Sequence, residues 1–163
     1  IAWLRIFGYD TVSALDLEPT PNEDTRLIDM AKKEKRILVS RDRVLIERAK
    51  KAGVEAVLMS SDDVREQLEM LMESYLPDLD PNMTRCTACN AMLRKATEED
   101  LEKLKSPGEV PEHLLKDKEA LWVCENCGKV YWQGSHWRNI LKKTNEIKTT
   151  RKNSTISDQN KTN

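Results

Sequence analysis

The pattern of apolar and polar positions divides the first half of the chain into short strands that alternate with helices. Residues 36–40 and 54–59 are short, apolar and rich in β-branched side chains, as buried parallel strands are. The run 11–15 predicts a shorter strand. Apolar residues recur at helical spacing in residues 24–34, 43–52 and 64–76. Strands alternating with helices of this length favour right-handed βαβ units, and therefore an α/β domain whose parallel sheet is covered by helices on both faces.

The first residues have a helical pattern without a start signal. Ile1, Leu4 and Phe7 are spaced as one helix face, and Gly8 is suited to end a helix. No capping residue and no strand precede this helix. We therefore expect that the chain as given begins inside a helix and that the first strand of the domain is missing.

All four cysteines of the chain lie in two Cys-x-x-Cys pairs, Cys86 with Cys89 and Cys124 with Cys127. Two such pairs can surround one metal ion with four thiolates, the arrangement that structural zinc prefers. Apolar runs at 121–124 and 129–132 flank the second pair and predict a β-hairpin. The pairs therefore predict a four-cysteine zinc ribbon, in which Zn²⁺ stabilises the fold. The alternatives are two disulfides or four unrelated buried cysteines.

These patterns divide the chain into four segments. Residues 1–76 form the α/β domain, and residues 77–84, which contain two prolines, form a linker. Residues 85–141 form the zinc ribbon, with a helical insertion at 97–104 that ends at the Ser-Pro-Gly of 106–108. Residues 142–163 are polar and basic, which predicts a disordered tail.

Composition indicates a globular protein, and the cysteine pattern indicates the compartment in which it is expected. Charged residues make up 34% of the chain and apolar residues 39%, within the range of globular domains. No apolar run approaches the roughly 18 residues that a membrane span needs, so no membrane is expected as a partner. Without a signal-peptide pattern, paired cysteines favour a reducing, intracellular location, cytoplasmic or nuclear.

Two aspartates are candidates for chemistry. Asp42 follows the strongest strand, at the edge of a parallel sheet where active sites form, and Asp24 lies in the first turn of a helix. Carboxylates that converge there can bind Mg²⁺ or Mn²⁺, which would support metal-assisted hydrolysis of phosphodiester bonds. The alternative is that these acids, like Asp62 and Asp63, only stabilise helix N-termini.

Basic and aromatic side chains are candidates for binding RNA. Arg41 and Arg43 flank Asp42 and would contact phosphate oxygens or neighbouring acids. Aromatic residues beside a glycine turn, followed by basic residues, can form a stacking platform for single-stranded nucleic acid. The alternative is that the two tryptophans cover the ribbon core. The residues of this second set are Trp132, His136, Trp137 and Arg138.

Several of these motifs together resemble the Mut-seven C-terminal ribonuclease domain. The resemblance rests on Trp3-Leu-Arg5, Gly8-Tyr-Asp-Thr11, Asp24 with Leu27-Ile28 and Ala31, Arg36-Ile-Leu-Val-Ser-Arg-Asp-Arg43, Arg85-Cys-x-x-Cys-Asn90, and Cys124-x-x-Cys-Gly-Lys-Val-Tyr-Trp-x-Gly-Ser-His-Trp137. It covers residues 1 to about 140. It implies a PIN-like, three-layer α/β nuclease fold with an appended zinc ribbon.

The resemblance also implies a function. It supports Asp24 and Asp42 as acids of a nuclease metal site and the four cysteines as zinc ligands. The family occurs alone and at the C-terminus of Nibbler-type 3'-5' exoribonucleases that act on small RNAs, so other domains are expected as partners. It places a further acid upstream of residue 1, and the chain as given is expected to lack that ligand. The alternatives are a catalytically inactive module that binds RNA or a protein partner, and a zinc-ribbon adaptor.

Overall fold

The computed structural model describes residues 1–76, 79–104 and 110–159, with side chains placed as far as residue 149. The chain divides into two compact units. One unit comprises residues 13–77, and the other comprises residues 1–12 together with residues 78–163. We call them the α/β unit and the ribbon unit. The start of the predicted linker, residues 77–78, lies outside the described residues. The predicted end of the helical insertion, residues 106–108, lies outside them as well.

The α/β unit contains a parallel two-stranded sheet, as the alternation of strands and helices predicts. The register pairs Leu38 with Ala56 and Ser40 with Leu58. The crossover between the strands is a single helix, so the two strands and this helix form a βαβ unit. The elements are α2 (Glu23–Glu34), β1 (Leu38–Ser40), α3 (Arg43–Lys51), β2 (Ala56–Leu58) and α4 (Val64–Ser74).

The core of this unit lies under α3. Leu45, Ile46 and Ala49 share one face of α3 and are buried, and Ile28 and Ala31 of α2 pack into the same cluster. Burial of each leucine or isoleucine side chain contributes about 1.5–3 kcal/mol relative to exposure. The helical spacing of apolar residues in the sequence therefore corresponds to one packed surface.

The strand predicted at residues 11–15 is wrong. Residues Ala14–Asp16 form a 3-10 helix instead. The Ser13 hydroxyl accepts a hydrogen bond from the Leu15 amide, and the Asp16 carboxylate accepts one from the Ser13 amide. This reciprocal capping stabilises a helical turn, and it leaves the Leu15 side chain 95% exposed.

The ribbon unit contains an antiparallel sheet of three strands in the order β3-β4-β5. The predicted hairpin is confirmed, since Leu121 pairs with Trp132 and Val123 with Val130. The predicted helical insertion is also confirmed, with Thr97 as its capping residue. The elements are α1 (Ala2–Ile6), β3 (Leu93–Lys95), α5 (Glu98–Lys103), β4 (Leu121–Cys124), β5 (Val130–Trp132) and α6 (Ser135–Gln159).

Two parts of the ribbon unit differ from the segments expected from the sequence. The first helix, α1, belongs to this unit, whereas the sequence-based division assigned it to the α/β domain. Helix α6 continues through residues 142–159, where a disordered tail was expected. Thr144 and Ile147 are 1% and 5% exposed, so the helix has a packed face beyond residue 142. Among the described helices, none is both long and apolar enough to cross a bilayer.

Candidate functional site

The two Cys-x-x-Cys pairs adopt the same tight backbone conformation. In the first knuckle, residues 86–90, the Asn90 amide donates to the Cys86 carbonyl at 2.9 Å. In the second, residues 124–128, the Gly128 amide donates to the Cys124 carbonyl at 3.1 Å. Each turn closes on a left-handed residue, with φ of 68° at Asn90 and 72° at Gly128. This conformation points both thiols of a pair to one side, as two-residue spacing requires for chelation.

The four sulfur atoms form a compact cluster. All four Sγ atoms lie within 4.8 Å of one another. Two of the separations between the knuckles are 3.4 Å, from Cys89 to Cys124, and 3.6 Å, from Cys86 to Cys127. Ligands at about 2.3 Å from a tetrahedral zinc ion would be roughly 3.8 Å apart, whereas a disulfide needs about 2.05 Å. The four cysteines are free thiols that fit one zinc ion with no open coordination position.

The surroundings of the cluster favour the thiolate at one cysteine and the thiol at another. Although the Lys129 amide opposes the shift, burial and the other cysteine sulfurs raise the pKa of Cys127 to about 12. The backbone amide of Ala91 lowers the pKa of Cys89 to about 6.

The Tyr131 hydroxyl lies 3.0 Å from the Cys86 sulfur and accepts a hydrogen bond from the Thr87 amide at 3.1 Å. Burial and the contact with Cys86 raise the pKa of Tyr131 to about 12, so its hydroxyl stays protonated and can donate to sulfur. Such contacts fix ligand orientation around a metal.

A buried arginine attaches the N-terminal helix to the first knuckle. The Arg5 side chain is 2% exposed. Its Nε donates to the Thr11 carbonyl at 2.9 Å, and its Nη1 donates to the carbonyls of Thr87 and Ala88 at 3.1 and 2.8 Å. A buried guanidinium needs such partners, because unpaired burial of a charge is unfavourable. Arg5 lies in the Trp3-Leu-Arg5 motif, but nothing in that motif indicates this role.

Asn90 makes a second set of contacts with the N-terminal segment. Its Oδ1 accepts a hydrogen bond from the Thr11 amide at 3.0 Å, and its Nδ2 donates to Asp10 Oδ1 at 2.7 Å. Arg85 adds a bond to the Gly8 carbonyl at 3.2 Å. The residue that closes the knuckle therefore also holds the segment after α1.

The predicted catalytic acid Asp42 lies two residues beyond the end of β1, and it caps α3. Its Oδ1 accepts hydrogen bonds from the amides of Val44 and Leu45 at 2.8 and 3.1 Å. Asp62 and Asp63 follow β2, which is parallel to β1, so both loops lie at the same edge of the sheet. Arg41 and Asp62 form an ion pair that joins these loops.

Asp24 interacts with the other end of α3. Its Oδ2 accepts a hydrogen bond from Arg48 Nη1 at 2.7 Å, and Arg48 also contacts the Thr25 hydroxyl at 3.0 Å. Asp42 caps the first turn of α3, whereas Arg48 belongs to the last. Within the described ranges, the four cysteines are the only group of three or more side chains close enough to share a metal ion. Metal binding by Asp24 and Asp42 therefore stays a prediction.

The residues predicted to contact RNA fall into exposed and packed groups. Arg43, His136 and Arg138 are exposed. Trp137 is 9% exposed, and Trp132 packs against the core of the ribbon unit. A Cβ atom at Gly134 would lie 2.8 Å from the Trp132 indole nitrogen, so this glycine is needed for the indole to fit. RNA contact by these residues also stays a prediction.

The comparison with known proteins matches one family model. The model described as the Mut7-C RNAse domain matches residues 1–144. No curated protein and no solved structure gives a match.

Proposed function

Because this chain belongs to the Mut7-C RNAse domain family, we propose that it hydrolyses RNA phosphodiester bonds with the help of Mg²⁺ or Mn²⁺. We further propose that it acts as the C-terminal part of a larger 3'-5' exoribonuclease and that its substrate is single-stranded. The match covers residues 1–144 and makes the chain a ribonuclease-type domain. That observation carries the proposal.

Asp24 and Asp42 would hold the ion. Both cap bonds of Asp42 use Oδ1, and the bond from Arg48 uses Oδ2 of Asp24. Each carboxylate thus has a second oxygen available for a metal, and helix capping does not prevent coordination. A bound Mg²⁺ or Mn²⁺ would activate water and neutralise phosphate charge. Arg41 and Arg43 would position the phosphate, with Arg41 exchanging its bond to Asp62 for one to the substrate.

The alternative is a catalytically inactive module that binds RNA or a protein partner. It is favoured by the contacts of the two acids, since helix capping and an ion pair with Arg48 account for Asp42 and Asp24 without any metal. A zinc-ribbon adaptor is a further alternative. These functions predict different effects on RNA cleavage when Asp42 is replaced by a neutral residue.

The test is Asp42→Asn, because asparagine caps a helix about as well as aspartate but binds hard cations poorly. In a chain extended upstream to include the further acid that the resemblance implies, we expect this substitution to lower cleavage of a labelled single-stranded RNA in Mn²⁺ at least about 100-fold while the melting temperature stays unchanged. Asp63→Asn is the matched control, since Asp63 caps α4 in the same way, with bonds to Arg65 and Glu66.

Three outcomes separate the alternatives. Loss of cleavage in Asp42→Asn but not in Asp63→Asn supports the metal-dependent nuclease. Absence of cleavage with retained RNA binding supports the inactive module. Absence of both, with a defined protein partner bound at one equivalent, supports the adaptor.

A further inference from the structure

The sheet of the ribbon unit has two faces of different character. Side chains directly opposite each other in an antiparallel sheet lie on the same face. The register pairs Arg94 with Val123 and Val123 with Val130 on one face. It pairs Lys95 with Trp122 and Trp122 with Tyr131 on the other. Two aromatic rings and a lysine thus form one row across all three strands.

The first face is covered by the rest of the unit. Leu121 and Val123 are buried there in one cluster with Leu101 of α5. Arg94 on this face donates to both carboxylate oxygens of Asp100, at 2.5 and 3.1 Å. Helix α5, which carries Asp100, is acidic, with Glu98, Glu99 and Asp100 in the first turn. This face therefore has both an apolar cover and acidic neighbours.

On the second face, lysines lie over the aromatic rings. The Lys95 ammonium is 3.5 Å from the centre of the Trp122 ring, and the Lys129 ammonium is 5.8 Å from the centre of the Tyr131 ring. Both lysines are exposed and both rings are half-buried. Lys95 also donates to the carbonyl of Glu119. We call Lys95, Trp122, Tyr131 and Lys129 the aromatic row.

Tyr131 is held in place by contacts at the metal centre. Its hydroxyl contacts the Cys86 sulfur and the Thr87 amide, so the position of its ring is fixed by the first knuckle. A ring that is already ordered loses little conformational entropy when it binds a ligand. The zinc cluster would thereby make the row a rigid surface.

We propose that the aromatic row binds single-stranded RNA, with bases stacked on Trp122 and Tyr131 and phosphates paired with Lys95 and Lys129. Lys95 lies over the Trp122 ring and would exchange that contact for one to a phosphate, which leaves the ring face to a base. The inference deepens the proposed function and rests on it, since RNA is the substrate there. The row differs from the aromatic residues predicted from the sequence. Trp132 lies on the covered face of the sheet and Trp137 of α6 is buried, whereas Trp122 and Tyr131 lie on the second face.

The chemistry of the row fits a single strand. Every base has a π-face, and stacking on an aromatic side chain contributes about 1–3 kcal/mol per base without sequence preference. Bases of a duplex are already stacked and paired, so they are inaccessible to a sheet surface. The ammonium groups of Lys95 and Lys129 carry the charge that phosphates need, and each is close enough to a ring to pair with a phosphate next to a stacked base. An acidic protein segment would use the lysines but not the ring faces.

The experiment measures binding without cleavage. Zinc-loaded chain is titrated into a fluorescein-labelled oligouridine of about 12 nucleotides, within the site sizes of single-strand binders, without added Mg²⁺ or Mn²⁺, and followed by fluorescence anisotropy. We expect Trp122→Leu to weaken binding about 5- to 150-fold, the fold-change that corresponds to one lost stacking contact. Lys95→Gln and Lys129→Gln should each lower the slope of log affinity against log salt concentration by about 0.7.

Matched controls lie near the covered face. Lys103→Gln and Lys118→Gln change the charge equally, at lysines paired with Glu99 and Glu98, and should leave binding unchanged. One equivalent of zinc and an unchanged far-ultraviolet circular dichroism spectrum establish that each variant is folded.

The outcomes separate this inference from the proposed function. If folded Trp122→Leu binds RNA as well as the original chain, the aromatic row is not the binding surface, and cleavage that depends on Asp42 would still support the nuclease. If the lysine variants lose affinity equally for a duplex and Trp122→Leu loses none, only charge is involved and the inference is wrong. If the zinc-loaded chain does not bind RNA and the chain extended upstream does not cleave it, both proposals are wrong.

Discussion

In the α/β unit, the side-chain contacts described above join residues at most 24 positions apart, whereas in the ribbon unit Arg5 and Asn90 join segments about 80 positions apart. Asp42 caps amides two and three positions away, and Ser13 does the same for the turn that follows it. Arg5 instead reaches carbonyls 82 and 83 positions away. One unit is specified by local patterns around an apolar core. The other is organised around the four-cysteine cluster and contacts between distant segments, and this difference predicts how each unit responds to substitution or metal removal.

Removal of zinc should have the largest effect, and only on the ribbon unit. Structural zinc sites contribute about 10–16 kcal/mol of apparent binding free energy, which is coupled to folding. We expect a strong chelator to abolish amide-exchange protection in β4 and β5 while protection in α3 remains. Hydrogen exchange read by mass spectrometry gives both values from one sample. Equal loss of protection in both units would contradict the comparison.

A cavity in the α/β core should destabilise the α/β unit and leave zinc binding by the ribbon unit unchanged. Ile46 is 2% exposed, so Ile46→Ala should lower the free energy of unfolding of that unit by about 2–5 kcal/mol. The chain should still bind one equivalent of zinc. Val44→Ala is the control, because Val44 is 63% exposed on the same helix, and it should change stability by less than about 0.5 kcal/mol. Loss of zinc from Ile46→Ala would show that the units are coupled.

Arg5→Ala tests the long-range contacts. Hydrogen bonds from a charged group contribute about 1.5–3 kcal/mol, and this substitution leaves the carbonyls of Thr87 and Ala88 without their donor. We expect weaker zinc binding and faster amide exchange in residues 1–12. Arg26→Ala is the matched control, because Arg26 is exposed and donates to the nearby Glu18 carbonyl. Unchanged zinc affinity in Arg5→Ala would separate the N-terminal segment from the metal centre.

The smallest expected effect concerns the helix cap at Asp42. Asp42→Ala should cost about 1 kcal/mol of stability in the α/β unit, since two amides lose their acceptor. Asp42→Asn should cost almost nothing because asparagine keeps the cap. Chemical denaturation followed by circular dichroism measures both. A loss of stability as large in Asp42→Asn as in Asp42→Ala would mean that the charge itself stabilises the fold.

The features of the fold that depend on residues close together in the sequence could be predicted. The strands at Leu38–Ser40 and Ala56–Leu58 have apolar, β-branched sequences, and the helices around them have caps and apolar faces that are visible in the printed chain. The hairpin around the second knuckle was equally predictable, since its strands are adjacent to the cysteines. The thiol cluster followed from cysteine spacing, because two such pairs have few other uses.

The features that were missed depend on contacts between distant segments. Nothing near Arg5 indicates that its partners are the carbonyls of residues 87 and 88. The strand at 93–95 is short and charged, and it forms because it pairs with β4. Trp122 and Trp132 have similar local surroundings, but the register places them on opposite faces of the sheet. For the acids, helix capping and metal binding favour the same position, so sequence could not separate them.

The two knuckles are not interchangeable, although both can chelate metal. Glycine adopts the left-handed conformation without steric cost. Asparagine adopts it at a small steric cost and adds a side-chain amide that can form hydrogen bonds. The Asn90 side chain makes the two knuckles different, because it forms hydrogen bonds with residues 10 and 11, whereas Gly128 has no side chain with which to form any. An engineer who transplants this ribbon into another scaffold would have to carry the N-terminal segment along or replace Asn90 with glycine. Asn90→Gly should keep zinc while amide exchange at Thr11 accelerates, which shows whether the graft can be shortened.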